Sequence, residues 1–349
     1  MAESSKIEWT HATWNPITGC SVVSPGCTKC YAMRLAGGRL RHTRKYEFLT
    51  QPSKAGPVWT GEVRFDEATL TVPLRWREPR RIFVCSMSDL FHEDVPDEWI
   101  DRIFAVMALA PQHTFQVLTK RPERMRDYVS QNREGREISE RLAELYVSHP
   151  QIATRWPLTA ERAIAAAHWP LPNVWVGTSV EDQKRADERI PHLLNTPAAV
   201  RFLSCEPLLG PIDLTAIKRT KTEGYMRPLD GRFRTLDWII VGGESGPRAR
   251  LCNLAWMRDI IKQCHAASVP VFIKQLGPRP REICTSPKQF PVNLETIGVW
   301  VNGMSETRQA KVLSRDGHRY TVEWPLRDPK GGDMAEWPTD LRIREYPDG

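Results

Sequence analysis

The sequence predicts an α/β protein built on a parallel (β/α) barrel, complete or partial, of the TIM-barrel kind. Three observations carry this expectation. Short apolar runs recur along the chain, amphipathic helical patterns stand between several of them, and polar or ionisable residues follow each run at once. Runs this short, rich in β-branched and aromatic residues, suit strands buried on both faces of a parallel sheet. Strand and helix in alternation imply right-handed βαβ units.

In chain order, a first strand is expected near Ile7 to Trp14, followed by Ile82–Cys85 and Phe115–Leu118. Val174–Val176, Val200–Leu203, Trp238–Val241 and Val271–Ile273 complete the set, about seven strands in all. After Pro96, Asp97 and Glu98 place negative charge in a helical first turn. Trp99, Ile100, Ile103, Phe104 and Met107 then share one face. A weaker helix is expected from Glu181 to Leu194. Asn253 is placed to cap a further helix whose inward stripe is Leu254, Met257, Ile260, Ile261 and Cys264. Residues 121–173 interrupt this order as an insertion with its own helical signals, Thr159 to His168 among them. Residues 215–236 interrupt it again as a basic excursion without periodicity. A barrel-like domain is therefore expected over 1–277. Residues 278–349, rich in Pro, Gly and charge, are expected to pack on it as a capping extension.

The chain of 349 residues carries a net charge of +7, compatible with a polyanionic partner. Basic residues gather at Arg39, Arg41, Arg44 and Lys45, and again from Lys218 through Lys221 to Arg227, Arg232 and Arg234. No leading apolar run has signal-peptide length and no stretch is long enough to cross a bilayer, so a cytoplasmic protein without membrane contact is expected. Five of the eight cysteines, Cys85, Cys205, Cys252, Cys264 and Cys284, lie singly in apolar surroundings and read as buried thiols of a reducing compartment. Several of the thirteen tryptophans stand beside prolines, which suits packed connections.

The remaining cysteines, Cys20, Cys27 and Cys30, share one Gly/Pro-marked loop with gaps of six and two residues. Such a loop wraps a metal centre. A structural zinc site closes its tetrahedron with a fourth protein ligand, here His11 or His42. A cluster held by three thiolates instead leaves one iron open to a ligand. Both readings stand at this point.

In parallel barrels the working residues sit at the C-terminal ends of the strands. Those positions here hold Ser86, Ser88, Asp89 and His92, then Thr119, Lys120 and Arg121. Thr178, Ser179 and Glu181 follow, then Ser204 and Glu206, then Gly242, Gly243, Glu244 and Ser245, and finally Lys274 and Gln275. Glu181, Glu206 and Glu244 facing Lys120 and Lys274 make a polar, solute-binding mouth. The glycine doublet would let backbone approach a ligand closely. His92 beside Asp89 reads as a proton-transfer pair, or as a hydrogen-bonded structural histidine. The cysteine loop hangs from the same rim.

Glu8-Trp9-Thr10, Thr13-Trp14-Asn15-Pro16, Cys30-Tyr31-Ala32, Ser88-Asp89-Leu90-Phe91-His92, Leu118-Thr119-Lys120-Arg121-Pro122, Gly242-Gly243-Glu244-Ser245-Gly246 and Phe272-Ile273-Lys274-Gln275 resemble the motifs of a phage-associated three-cysteine-motif family. Lys330-Gly331-Gly332 and Glu336-Trp337-Pro338 fit as well, so the resemblance spans nearly the whole chain. More widely, the chain is similar to the radical S-adenosylmethionine superfamily. That resemblance implies a [4Fe-4S] cluster on Cys20, Cys27 and Cys30, with the fourth iron binding S-adenosylmethionine. The superfamily's Gly-Gly-Glu segment, which receives the cofactor amino group, normally follows the second strand. Here Ser88 and Asp89 occupy that place and are the implied amino-group partners, while Gly243 and Glu244 come much later. Thr178, Ser179, Glu181 or Glu206 are the implied ribose partners. The first cysteine gap is longer than the superfamily's usual three residues, and Tyr31 follows the last cysteine rather than preceding it.

The leading expectation is thus an iron–sulfur enzyme that cleaves S-adenosylmethionine to a deoxyadenosyl radical, fed by an electron-donor protein. Its substrate is expected to be a nucleic acid or nucleotide, as in radical enzymes that repair or modify bases. The alternative is a zinc-binding nucleic-acid protein or nuclease, with Asp89, Glu206 and Glu244 as a magnesium set. A third reading is a non-enzymatic phage or host-interaction protein.

Overall fold

The computed structural model describes residues 4–131, 168–219, 224–231, 235–284, 311–316, 319–324 and 326–347, with Glu140, Glu144, Leu145 and Val147. Of the helix expected over Thr159 to His168, only His168 lies within these residues, and Lys221, Arg232 and Arg234 lie outside them. The chain forms two compact units. One comprises Met1–Ser179 with Arg189–Phe202, the other Val180–Glu188 with Leu203–Gly349.

The principal sheet has seven strands: β1 (Ala12–Trp14), β6 (Arg81–Val84), β7 (Thr114–Thr119), β8 (Val174–Ser179), β9 (Val200–Cys205), β12 (Trp238–Gly242) and β14 (Val271–Gln275). They lie in that order across the sheet, with β1 and β14 at its ends. In the first unit β1, β6, β7 and β8 pair in parallel, with Ala12 against Ile82, Ile82 against Phe115 and Phe115 against Val174. In the second, β12 and β14 pair in parallel, Ile240 against Phe272. Each expected apolar run falls on a strand with a buried centre, although most of these strands run one to three residues past the expected end and β6 stops one residue short of Cys85. The first strand is shorter than the expected Ile7–Trp14. The Thr10 amide turns back to the Ile7 carbonyl, and the Thr10 hydroxyl caps the Ala12 and Arg81 carbonyls, so extended structure starts only at Ala12.

In the second unit the Ile273 amide donates to Ile343 and the Glu345 amide donates to Val271. The Trp238 indole adds a 2.9 Å bond to the Glu345 carbonyl. The chain's last residues therefore occupy the outer edge of β14, the edge that barrel closure would need. The fold is α/β with a seven-stranded parallel sheet.

The helices follow their sequence signals. α1 (Tyr31–Gly37) leads away from the cysteine loop, and α2 (Glu67–Leu70) is a single turn. α3 (Asp97–Leu109) buries Ile100, Ile103, Phe104 and Met107. α4 (Pro122–Gln131) begins on a proline, which costs nothing at a helix N-terminus. α5 (Gln183–Asn195) starts two residues later than expected, because the Asp182 carboxylate accepts from the Arg185 amide at 3.0 Å and caps it there. α6 (Leu254–Ala266) is capped by Asn253, whose side chain accepts from the Ala255 amide at 3.1 Å.

Among the described residues, four smaller sheets lie outside the main one. β2 (Ile17–Thr18) pairs with β5 (Arg64–Phe65), and β3 (Thr50–Ser53) with β4 (Gly56–Trp59) as a hairpin. Within the basic excursion, β10 (Ile217–Lys218) and β11 (Tyr225–Met226) form a short antiparallel ladder. A four-stranded sheet runs in the order β13 (Cys252–Asn253), β15 (Pro280–Cys284), β17 (Arg319–Glu323) and β16 (Lys311–Asp316). No helix among the described residues is long and apolar enough to cross a membrane.

Candidate functional site

The cysteine loop is fixed at both ends by backbone chemistry. Gly19 bridges Ser88 in parallel register beyond the ends of β1 and β6. Its φ is +91°, and a Cβ there would lie 2.0 Å from the Glu62 carbonyl oxygen. Only glycine fits, and it delivers Cys20 directly to the ends of the strands. At the other end, Cys30 immediately precedes α1. That helix packs Ala32, Met33 and Ala36 against Tyr46, Leu49, Trp59 and Met87, with Cys20 and Cys30 at the edge of the cluster.

Cys20, Cys27 and Cys30 line one cavity in the first unit, with Ser88 and Asp89 after β6, Lys120 and Arg121 after β7, and Ser179 ending β8. Its open interior is about 140 Å³, roughly ten times what one water occupies, so the space exceeds that of a single ion. Tyr31 spans one side, its hydroxyl donating to the Ser86 carbonyl at 2.6 Å. Among the described residues no three His, Cys, Asp or Glu side chains are drawn together as ligands of one metal ion. The donor set nevertheless suits an iron–sulfur core, since all three thiols are free and border the same space.

Burial pushes the Cys20 thiol up to about 12, and the neighbouring Asp89 charge adds to this, while Arg121 pulls the other way. The Arg121 guanidinium lies 3.9 Å from the Cys20 sulfur. Burial likewise raises Cys30, opposed by the amides of Met33 and Ala32 and by the charge of Lys120. Each outer cysteine thus has a cation beside it that favours the thiolate.

Arg121 is the hub of the site. Its guanidinium reaches Asp89 at 3.0 Å, Glu93 at 2.6 Å and the Ser21 hydroxyl at 2.6 Å. Burial acts against its charge, but Asp89 and Glu93 hold the guanidinium firmly protonated. Burial alone would raise the Glu93 carboxyl, yet the Arg121 contact and other partners lower it to about 2.

Of the two readings of His92 beside Asp89, the side-chain contacts favour the hydrogen-bonded structural histidine. The Asp89 oxygens accept from the Thr119 hydroxyl at 2.6 Å, the Phe91 amide at 3.0 Å, the Lys120 amide at 3.1 Å and Arg121. A carboxylate so occupied has no acceptor left for an imidazole. His92 is buried; its Nε2 lies 3.0 Å from the Ser21 hydroxyl and its Nδ1 accepts from the Asp94 amide at 3.1 Å. Burial lowers its pKa, with Arg121 acting in the same sense. It is a buttress of the cysteine loop rather than a lining residue.

The other candidates lie in the second unit. Lys274 pairs with Glu206 at 2.6 Å, and the Gln275 amide donates to the Gly243 carbonyl at 2.8 Å. Glu244 is buried and accepts from the Arg250 amide at 2.8 Å and its Nε at 3.0 Å. Glu181 is buried and its carbonyl accepts from the Leu209 amide. A Cβ at Gly243 would lie 2.2 Å from the Leu276 carbonyl oxygen, so this glycine serves close packing of backbone on backbone. The histidines considered as zinc ligands are engaged elsewhere. His11 faces Arg81 through both ring nitrogens, at 3.0 and 3.1 Å, and His42 Nε2 lies 2.8 Å from Arg41.

Residue-by-residue reading underweighted three members of the first-unit site. Arg121 was legible as a strand-end cation, but its central position was not. Cys85 also lines the cavity, with φ +56° and its thiol pushed up to about 12 by burial, against contacts from Ser88 and Ile17. Gln116 pairs in register with Phe83 and Trp175, which puts it on the cavity-facing side of the sheet one pleat below Leu118. It is fully buried, and neither amide atom has a partner. Such orphaned groups are rare in folded proteins and suit a polar ligand.

No curated protein and no solved structure matches the chain. A family model does match, over residues 4–318, and on that coverage the chain belongs to the family described as protein of unknown function (DUF5131).

Proposed function

We propose that the protein is a phage-associated iron–sulfur enzyme of the radical S-adenosylmethionine type, acting on a nucleic acid or nucleotide in a reducing, cytoplasmic setting. The observation that carries this reading is the shared cavity bordered by Cys20, Cys27 and Cys30. These cysteines would hold a [4Fe-4S] cluster. Bound there, such a cluster supplies one-electron cleavage of S-adenosylmethionine and hence a carbon radical for hydrogen abstraction.

The chain's own residues have defined tasks. Arg121 and Lys120 favour the thiolate forms of Cys20 and Cys30. Asp89 accepts from Arg121 and orients its guanidinium, and accepts from the Lys120 backbone amide, which fixes the chain where it leaves β7. Ser88, Ser179 and Lys120 border the cavity, where their polar groups suit the amino, carboxylate and ribose groups of the cofactor. Phe83, Trp59 and Leu118 exclude water from its walls. An electron-donor protein completes the reading.

Anaerobic reconstitution followed by iron, sulfide and zinc analysis tests it. About four irons per chain are expected, with loss of iron in Cys20→Ser, Cys27→Ser or Cys30→Ser. The reduced protein's electron paramagnetic resonance spectrum is expected to change when S-adenosylmethionine is added. A colourless chain, stoichiometric zinc, or a spectrum indifferent to the cofactor defeats the proposal.

A further inference from the structure

The segment that leaves α1 builds a surface the cavity chemistry does not use. Residues 38–56 hold five Lys or Arg and one Glu. The fold sorts these cations into two kinds. Lys45 is drawn inward, 2.8 Å from the Asn15 carbonyl and 2.6 Å from the Asp66 carboxylate. Arg39, Arg41, Arg44 and Lys54 are exposed. Among the described residues, none of these four meets a carboxylate within salt-bridge distance. The segment's acid, Glu47, is half-buried and lines a groove with Arg41, His42 and Phe48.

Phe48 borders that groove and is 76% exposed. Its φ is +63°, a left-handed conformation that disfavours a bulky side chain. Its neighbours explain how it is held there. Tyr46 and Leu49 are buried against Trp59 and Met33, so the chain is pinned on both sides of Phe48 and the ring is turned out. An aromatic ring in water, on a strained residue, in a groove shared with the unmatched Arg41, returns no stability to the folded chain.

We infer that this face is a docking surface for single-stranded nucleic acid. An unstacked base lies on the Phe48 ring, and Arg39, Arg41, Arg44 and Lys54 meet the flanking phosphates. The inference rests on the nucleic-acid part of the reading above and names the surface that serves it. A single strand fits better than a duplex, whose bases are already stacked on one another. A lipid surface fits less well, because interfacial binding needs several apolar side chains together. Here one ring shares its groove with the exposed Gln51 and Ser53.

Fluorescence anisotropy of a labelled mixed-sequence oligodeoxynucleotide, titrated with the full-length chain over a range of KCl concentrations, tests the inference. Phe48→Ala and Phe48→Leu are each expected to weaken binding about fivefold or more, with the salt slope unchanged. The double substitution Arg41→Ala with Arg44→Ala is expected to reduce the log–log salt slope by about 1.4, at 0.7 per phosphate contact on a single strand. Phe48→Gly relaxes the backbone, so it is expected to unfold at or above the native temperature while still losing affinity, which separates docking from folding. Equal affinity of the native and Phe48 variants overturns the inference. So does an unchanged salt slope, or a Phe48-dependent attachment to anionic vesicles that exceeds attachment to the oligonucleotide. Cys20→Ser is expected to bind the oligonucleotide as the native chain does, so loss of the cluster and loss of the docking surface are read separately.

Discussion

At Asp89 four donors meet two carboxylate oxygens, and Arg121 is the donor that carries the compensating charge. The side chains of both residues are largely withdrawn from water, at 7% and 10% exposure. Breaking such a pair from one side strands a buried charge, which costs about 3 kcal/mol. Arg121→Ala is therefore expected to be strongly destabilising. Adding Asp89→Asn to it should recover part of the loss, because the stranded charge is then gone. A double-mutant cycle in urea checks this, and strictly additive effects would contradict the pairing. Arg121→Lys is expected to rescue poorly, since one ammonium cannot reach Asp89, Glu93 and Ser21 together. The same residues show what a strand-end rule can convey. It marks Asp89 and Arg121 as polar groups in the right place, but which of them has spare hydrogen-bonding capacity depends on Thr119 and Phe91, thirty and two residues away.

Among the elements, the cysteine loop depends on one glycine more than on its cysteines for its path. Gly19 combines a left-handed φ with a carbonyl contact no side chain could share. Gly19→Ala must either move the Glu62 backbone or twist the loop, at a cost of about 1–3 kcal/mol. The expected outcome is a lower unfolding temperature together with reduced iron retention after reconstitution. A variant with native values for both would show that the loop's path is not set there. The helices α3 and α6 were legible at residue resolution, because capping and amphipathic spacing are local properties. The start of α5 was not, because the cap is Asp182 rather than the acidic residue one position earlier. The expected first strand shrank for a similar reason, since the Thr10 hydroxyl competes for backbone carbonyls that a longer strand would have paired.

For the whole molecule, acid sensitivity follows from two buried imidazoles. Burial lowers the pKa of His92 and His113 from the ordinary 6.5. Unfolding restores the ordinary value, so the unfolded chain binds more protons just below 6.5, and stability falls as pH drops through that range. A second loss is expected below about 4.5, where the unfolded Glu93 carboxyl protonates while the folded one, at about 2, resists. Thermal unfolding followed from pH 8 to pH 4 should show a midpoint that declines from near 6.5 downward. A midpoint flat or rising toward acid would contradict these environments.

Burial pattern and spacing along the chain were enough to place the seven strands, the principal helices and the three clustered thiols, because hydrophobic periodicity, caps and close cysteines are encoded by near neighbours. The cover over the edge of β14, the saturation of Asp89, the packing task of Gly243, the unpaired Gln116 amide and the sorting of Lys45 from Arg39, Arg41 and Arg44 are consequences of folding. Each depends on which distant segment arrives alongside: the final residues against β14, the end of β7 beside Asp89, Leu276 over Gly243, Asp66 beneath Lys45. Contacts between segments tens or hundreds of residues apart leave no periodic trace in a linear chain, and so they become visible only once the chain is packed.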